Sequence, residues 1–171
     1  DKESRLKEEI SNSENWPSLI FVSSPDKANK LSIKLSTEMA VSDETAEFAE
    51  WLRENLGNNN YLVESIEYGF GVHHGRIPRA IAGKILRMFN RENIPVLICT
   101  STIIEGVNTS AKTVMIYEKK ISNDPYDFFT FSIIKGRAGG IGEHHIGQVI
   151  AFKEYHQKPE VDVNPRIFWS N

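Results

Sequence analysis

The feature that most constrains this chain is a set of short apolar runs, each followed by a helical pattern. Ser18-Leu19-Ile20-Phe21-Val22-Ser23 is the first, after Pro17. Gly71-Val72-His73-His74, Val96-Leu97-Ile98-Cys99-Thr100, Thr113-Val114-Met115-Ile116-Tyr117 and Gly147-Gln148-Val149-Ile150-Ala151-Phe152 follow. Runs that are mostly apolar, rather than alternating, suit strands buried on both faces. Strands of that kind separated by helices predict an α/β fold, a parallel sheet with helices on both faces.

The intervening segments carry helix punctuation. Ser24 is placed to cap a helix with Pro25 in its first turn, with Ala28, Leu31 and Leu35 at helical spacing. Ser42 is placed to cap the next helix, whose expected stripe is Phe48, Trp51, Leu52 and Leu56, and Gly57 ends it. Residues 61–68 read as a short helix stopped by Gly69. Pro78 opens a helix with Ile81, Ile85, Leu86 and Phe89 on one face and Arg79, Lys84, Arg87 and Arg91 on the other. Residues 125–135 read as an aromatic-rich helix with Tyr126, Phe128, Phe129 and Phe131. The charged start, 1–15, reads as a short solvated helix or a lead-in from something upstream.

Length and composition bound the rest. The 171 residues suit one domain, and 40% apolar with 25% charged residues is ordinary for a globular protein. A net charge of −3 excludes a globally basic nucleic-acid binder but leaves room for a local basic face. The single cysteine, Cys99, allows no internal disulfide and sits mid-run, where a buried inert thiol is expected. No apolar stretch approaches the roughly 20 residues of a membrane-spanning helix, so no membrane partner is expected. A cytoplasmic location, or a nuclear one in a eukaryote, is expected.

In parallel sheets ligands gather at the carboxyl ends of the strands. Thr100-Ser101-Thr102 follows one such end, where hydroxyls and backbone N–H groups can hold a phosphate or equally cap a helix. Arg76, Arg79, Lys84 and Arg87 begin just after another end and can face a nucleic-acid backbone or simply water. In Phe131-Ser132-Ile133-Ile134-Lys135-Gly136-Arg137-Ala138-Gly139-Gly140, an arginine stands in a glycine-rich bend. A turn needs glycine but not arginine, and a positioned guanidinium suggests a phosphate. His73-His74 and His144-His145 are adjacent pairs whose rings would point apart, so no metal site is expected. No P-loop is present, so the chain supplies only part of any nucleotide site.

In order, these pieces resemble the second RecA-like domain of superfamily 2 nucleic-acid helicases, closest to the DExH branch with Ski2-like enzymes. SLIFVSS (18–24) resembles motif IV, and GVHHGRIPRAIAGKILRMF (71–89) the HHxGLPR block after it. VLICTSTIIEGVNTSAKTVMIY (96–117) is similar to motif V, and GRAGGIGEHHIGQVI (136–150) to motif VI. The resemblance covers about 17–152 and implies a single domain, 1–171, expected to be a fragment of a larger helicase.

The resemblance implies roles. Thr100 and Thr102 would contact strand phosphates, with His74, Gly75 and Arg79 shaping the nucleic-acid side. Gly106 and Asn108 would sit near ATP across an interdomain cleft. Arg137 would be the catalytic arginine finger, approaching the γ-phosphate. ATP and Mg2+ would be held mainly by a first RecA-like domain absent from this sequence, and the strand would be DNA or RNA. The chain departs from the pattern at Ile133, where a glutamine is expected, and at Gly140, where a second arginine is expected. Those departures leave a second reading, a RecA-like module that binds nucleic acid or protein without hydrolysis.

Overall fold

A computed structural model describes residues 1–35, 41–100, 111–118 and 147–152. Its strands are β1 (Ser18–Phe21), β2 (Phe70–His73), β3 (Val96–Cys99), β4 (Thr113–Ile116) and β5 (Gln148–Ala151). They form one parallel 5-stranded sheet in the order β2-β3-β1-β4-β5. Each apolar run therefore forms a strand: β2 lies one residue earlier than the run 71–74, and the other four are shorter than their runs by one or two residues. β1, β3 and β4 are buried along their whole length, as runs without alternation require.

The helices are α1 (Lys2–Ser11), α2 (Pro25–Lys34), α3 (Asp43–Leu56), α4 (Tyr61–Tyr68) and α5 (Arg79–Asn90). Their ends follow local chemistry. The Ser24 hydroxyl accepts from the Lys27 N–H at the start of α2, and Ser42 accepts from the Thr45 N–H at the start of α3. Asn60 caps α4 through the Leu62 N–H. Gly69 ends α4 at φ 99°, a left-handed conformation that a side chain would strain.

The close fit of α5 on β2 depends on Gly71. A Cβ there would lie 2.8 Å from Cγ2 of Ile85 and 2.9 Å from Cδ1 of Leu97. Side chains alternate along a strand. Phe70 and Val72, both fully buried, therefore face the opposite side from Gly71. On α5, Ile81, Ala82, Ile85, Met88 and Phe89 are buried, while Arg79, Lys84, Arg87 and Arg91 are exposed. The expected division of that helix into an apolar and a basic face holds.

Two expectations change. α3 buries Phe48 and Leu52, but Trp51 and Leu56 are exposed. The Trp51 ring stacks on Phe48, with centroids 6.2 Å apart, at the rim of a shallow groove shared with Ala80, Ile81 and Lys84 of α5. The stripe was thus wider in sequence than the contact it makes.

The second change is at the start of the chain. The expected short helix is there as α1, but it is not merely solvated: Leu6 and Ile10 are fully buried in the main core. Burying each contributes about 1.5–3 kcal/mol. Lys2 and Arg5 lie over the Tyr117 and Phe152 rings, 4.5 Å and 4.9 Å from their centroids. After α1, a short 3-10 turn at Ser13–Asn15 buries Asn15. Asn15 Oδ1 accepts from Nε2 of Gln148 at 2.7 Å, joining the start of the chain to β5. The packed body includes residues well before 17. The helix expected over 125–135 and the tail from Gln157 lie outside the described residues.

Candidate functional site

A parallel sheet brings every strand exit to one edge. Here backbone hydrogen bonds fix them in a row. The Thr100 N–H donates to the His73 carbonyl at 3.3 Å, and Val22 N–H to Cys99 at 2.9 Å. Tyr117 N–H donates to Phe21 at 3.0 Å, and Phe152 N–H to Ile116 at 2.9 Å. The exits therefore run from the His74 turn through Thr100 and Val22 to Tyr117 and Phe152. Side chains distant in sequence share this edge because the strand order places them there.

The turn after β2 is the best-defined part. Ile77 N–H donates to the His74 carbonyl at 3.3 Å, closing a turn over Gly75 and Arg76. Gly75, Arg76 and Arg79 are exposed. Arg76 reaches back to Oδ1 of Asp26 at the start of α2, 2.9 Å away, with both side chains mostly in water. Such a pair contributes little to stability. It leaves a guanidinium at the strand-end edge beside the basic face of α5.

His74 occupies a different place from Gly75 and Arg79. The resemblance groups it with strand-contacting residues, but its ring is 2% exposed and lies under the turn. Its Nδ1 accepts from the Arg76 N–H at 3.1 Å. Its Nε2 lies 2.8 Å from Oδ1 of Asn29 on α2 and 3.3 Å from the Tyr61 hydroxyl on α4. Burial is the main cause of a lowered pKa, reinforced by the Arg76 and His73 charges and opposed by Asp26. The neutral ring is thus favoured. Tyr61 is shifted upward, because its burial outweighs the hydrogen bond from Asn29 and the Arg76 charge.

The neighbouring His73 has a pKa lowered by burial, and its Nδ1 has no hydrogen-bond partner among the described residues. Thr100 is 4% exposed at the end of β3. Past β1, Lys27 pairs with Glu118 at 3.7 Å, and the Ser23 hydroxyl lies 3.4 Å from the same carboxylate. These contacts tie the start of α2 to the exit of β4. Thr102, Gly106, Asn108, Ile133, Arg137 and Gly140 lie outside the described residues. The edge therefore gathers His74, Gly75, Arg79 and Thr100 from the sequence expectation and adds Asn29 and Tyr61. Those two carry no sequence signal of their own; Asn29 reads as one more polar helix residue until α2 meets the turn.

A five-stranded parallel sheet in the order β2-β3-β1-β4-β5, with helices joining β1, β2 and β3, is an α/β fold of the RecA-like kind. The family profile described as "Helicase conserved C-terminal domain" matches residues 1–142, and the chain belongs to that family. It is similar to anti-bacteriophage protein B of Escherichia coli K12, 37% identical over 118 residues, which cover 69% of this chain and 16% of that protein. It is also similar to a DExH-box ATP-dependent RNA helicase of Arabidopsis thaliana, 26% identical over 114 residues, covering 61% of this chain and 5% of the helicase. The chain thus spans less than a fifth of either relative. Among solved structures, Saccharomyces cerevisiae Dbp5 bound to RNA and ADP BeF3 shares the fold at a TM-score of 0.60. Its identity is 21%, over 92% of this chain and 33% of that one.

Proposed function

We propose that this chain is the C-terminal motor lobe of an ATP-dependent nucleic-acid helicase or translocase. It grips a DNA or RNA strand by its phosphates along the strand-end edge, and it completes an ATP site shared with a first RecA-like lobe. The observation that carries this is the aligned row of strand exits, with exposed Gly75, Arg76 and Arg79 at one end and Thr100 beside them. Backbone-directed contacts of this kind hold a strand without reading its sequence. Membership of the helicase C-terminal family supports the reading. So do the RNA helicase relative and the RNA-bound structural neighbour.

The roles divide by residue. Arg79 and the backbone around Gly75 meet phosphates, and Thr100 with Thr102 anchors the next one. Gly106 and Asn108 border the nucleotide. Arg137 places its guanidinium at the γ-phosphate, stabilising charge as the phosphoryl group transfers. Among the described residues no three carboxylate, imidazole or thiol groups converge, and Mg2+ is assigned to the first lobe. When bound there, it neutralises phosphate charge.

The test is Arg137→Ala in the full-length protein, with ATP turnover measured with and without a nucleic-acid strand. Loss of stimulated turnover by about a hundredfold or more is expected, with strand binding retained. Unchanged turnover would overturn the role of Arg137. Gly140, in place of the expected arginine, favours a second reading in which the lobe binds without hydrolysis. Gly140→Arg separates the two: turnover that appears only in the variant supports a lobe that has lost hydrolysis.

A further inference from the structure

One buried ring underlies the whole turn after β2. His74 Nδ1 accepts the Arg76 N–H, so that nitrogen carries no proton. In the neutral ring the proton is therefore on Nε2, directed at Oδ1 of Asn29 2.8 Å away. The two nitrogens hold different elements: Nδ1 shapes the turn, and Nε2 moors it to α2, with Tyr61 of α4 alongside. The bond from His74 to the amide two residues on has the form of an Asx-turn, with imidazole replacing a carboxamide.

We infer that His74 is a positioning residue: in its Nε2–H form it fixes the turn from Gly75 to Pro78 against α2 and α4, and so sets where Arg76 and the first turn of α5 meet a strand. The inference rests on the strand-gripping reading above. It has a consequence that simple charge does not share. A second proton has to go on Nδ1, the atom that receives the Arg76 amide. Two N–H groups then face each other, and the turn loses its bond. The charged and titratable groups around the ring are Arg76 in the turn, His73 on β2, Asp26 on α2 and Tyr61 on α4. In acid a chain gaining positive charge should hold phosphates more tightly. Loss of the turn weakens the grip instead, so the two effects have opposite signs.

The experiment measures affinity for a fluorescent single strand, using the full-length protein, at about pH 7.5 and at the acid pH where NMR of the 171-residue chain shows the His74 ring protonated. Wild type is compared with His74→Asn and His74→Leu. Asparagine can accept the Arg76 amide and does not titrate. Wild type should lose affinity about fivefold to tenfold in acid, the scale of one hydrogen bond. His74→Asn should rescue the neutral-pH affinity to within about threefold and lose the acid weakening, and His74→Leu should bind about tenfold weaker at neutral pH. In parallel, the Arg76 amide of the 171-residue chain is followed by NMR hydrogen exchange. It should be protected in wild type and His74→Asn at neutral pH, and unprotected in His74→Leu. Acid tightening of the same size in wild type and His74→Asn would overturn the inference, as would a protected Arg76 amide in His74→Leu. If wild type binds no strand at either pH, the strand-gripping reading falls and the amide measurement alone decides the role of His74.

Discussion

Nε2 of His74 and Oδ1 of Asn29 lie 2.8 Å apart, joining residues 45 positions apart and mooring the turn after β2 to α2. That contact uses the Nε2–H, while Nδ1 must stay unprotonated to accept the Arg76 N–H, so the pair of contacts demands a neutral ring; burial favours it by lowering the pKa from 6.5. His73 is shifted the same way by its own burial. In the unfolded chain both rings take up protons near pH 6.5. Between that value and the lowered folded pKa, the unfolded state holds more protons, so acid favours unfolding. The stabilisation is fully present above about pH 6.5 and is lost as pH falls through the folded pKa. Urea midpoints at about pH 7.5 and about pH 5.5 should show this loss, and His74→Asn should reduce it. Identical pH profiles for the variant and wild type would contradict the assignment.

Gly71 is required by packing, since its φ is ordinary. Ile85 and Leu97, the atoms a Cβ would meet, are fully buried and have no free volume to retreat into. Gly71→Ala should therefore cost about 1–3 kcal/mol through overpacking, even though alanine is the smallest possible addition. Denaturant unfolding measures it. A neutral or stabilising result would mean that α5 stands further from β2 than the distances indicate.

Much of this fold could be read from local patterns. Apolar runs without alternation gave the strands, because strands buried on both faces need no polar side. Ser24, Ser42, Gly57 and Gly69 marked helix ends, because capping is decided within a few residues. What could not be read depended on contacts between distant segments. Leu6 and Ile10 look like isolated apolar residues in a charged stretch, and only the sheet they cover makes them core. Asn29 and Tyr61 gain meaning only when α2 and α4 converge on His74. The sheet order was not legible, since no short-range signal sets which strand lies beside which. His74 was selected by its block, but its depth was not legible, because spacing along the chain does not say whether a ring points out of a turn or beneath it.

The packing of α1 gives a prediction at the start of the chain. Leu6→Ala leaves a cavity in the core and should cost about 2–5 kcal/mol, as for other fully buried leucines. A second anchor is Asn15, which accepts from Gln148 and donates from Nδ2 to the Glu9 carbonyl at 2.8 Å. Asn15→Ala should cost about 1–3 kcal/mol, because Gln148 loses a partner in a half-buried place. Both are read by urea denaturation. If Leu6→Ala leaves stability within about 0.5 kcal/mol, the scale of surface changes, α1 does not pack as described.

Cys99 offers a probe of the sheet interior. It is fully buried at the end of β3, it is the only cysteine, and burial pushes its thiol pKa upward. Only the thiolate reacts with disulfide reagents. In native buffer at about pH 8 labelling should therefore be far slower than for a free thiol, and it should proceed only when β3 opens. Where closing is faster than reaction, the labelling rate follows the open population. Gly71 is paired with Leu97 in the register of β2 on β3, so Gly71→Ala should speed labelling by about as much as it lowers stability: roughly tenfold for each 1.4 kcal/mol. Labelling of the native chain at the rate of an exposed thiol would show that β3 is not held shut by its neighbours. A variant that loses stability without faster labelling would show that opening at β3 is local and uncoupled from the α5–β2 contact.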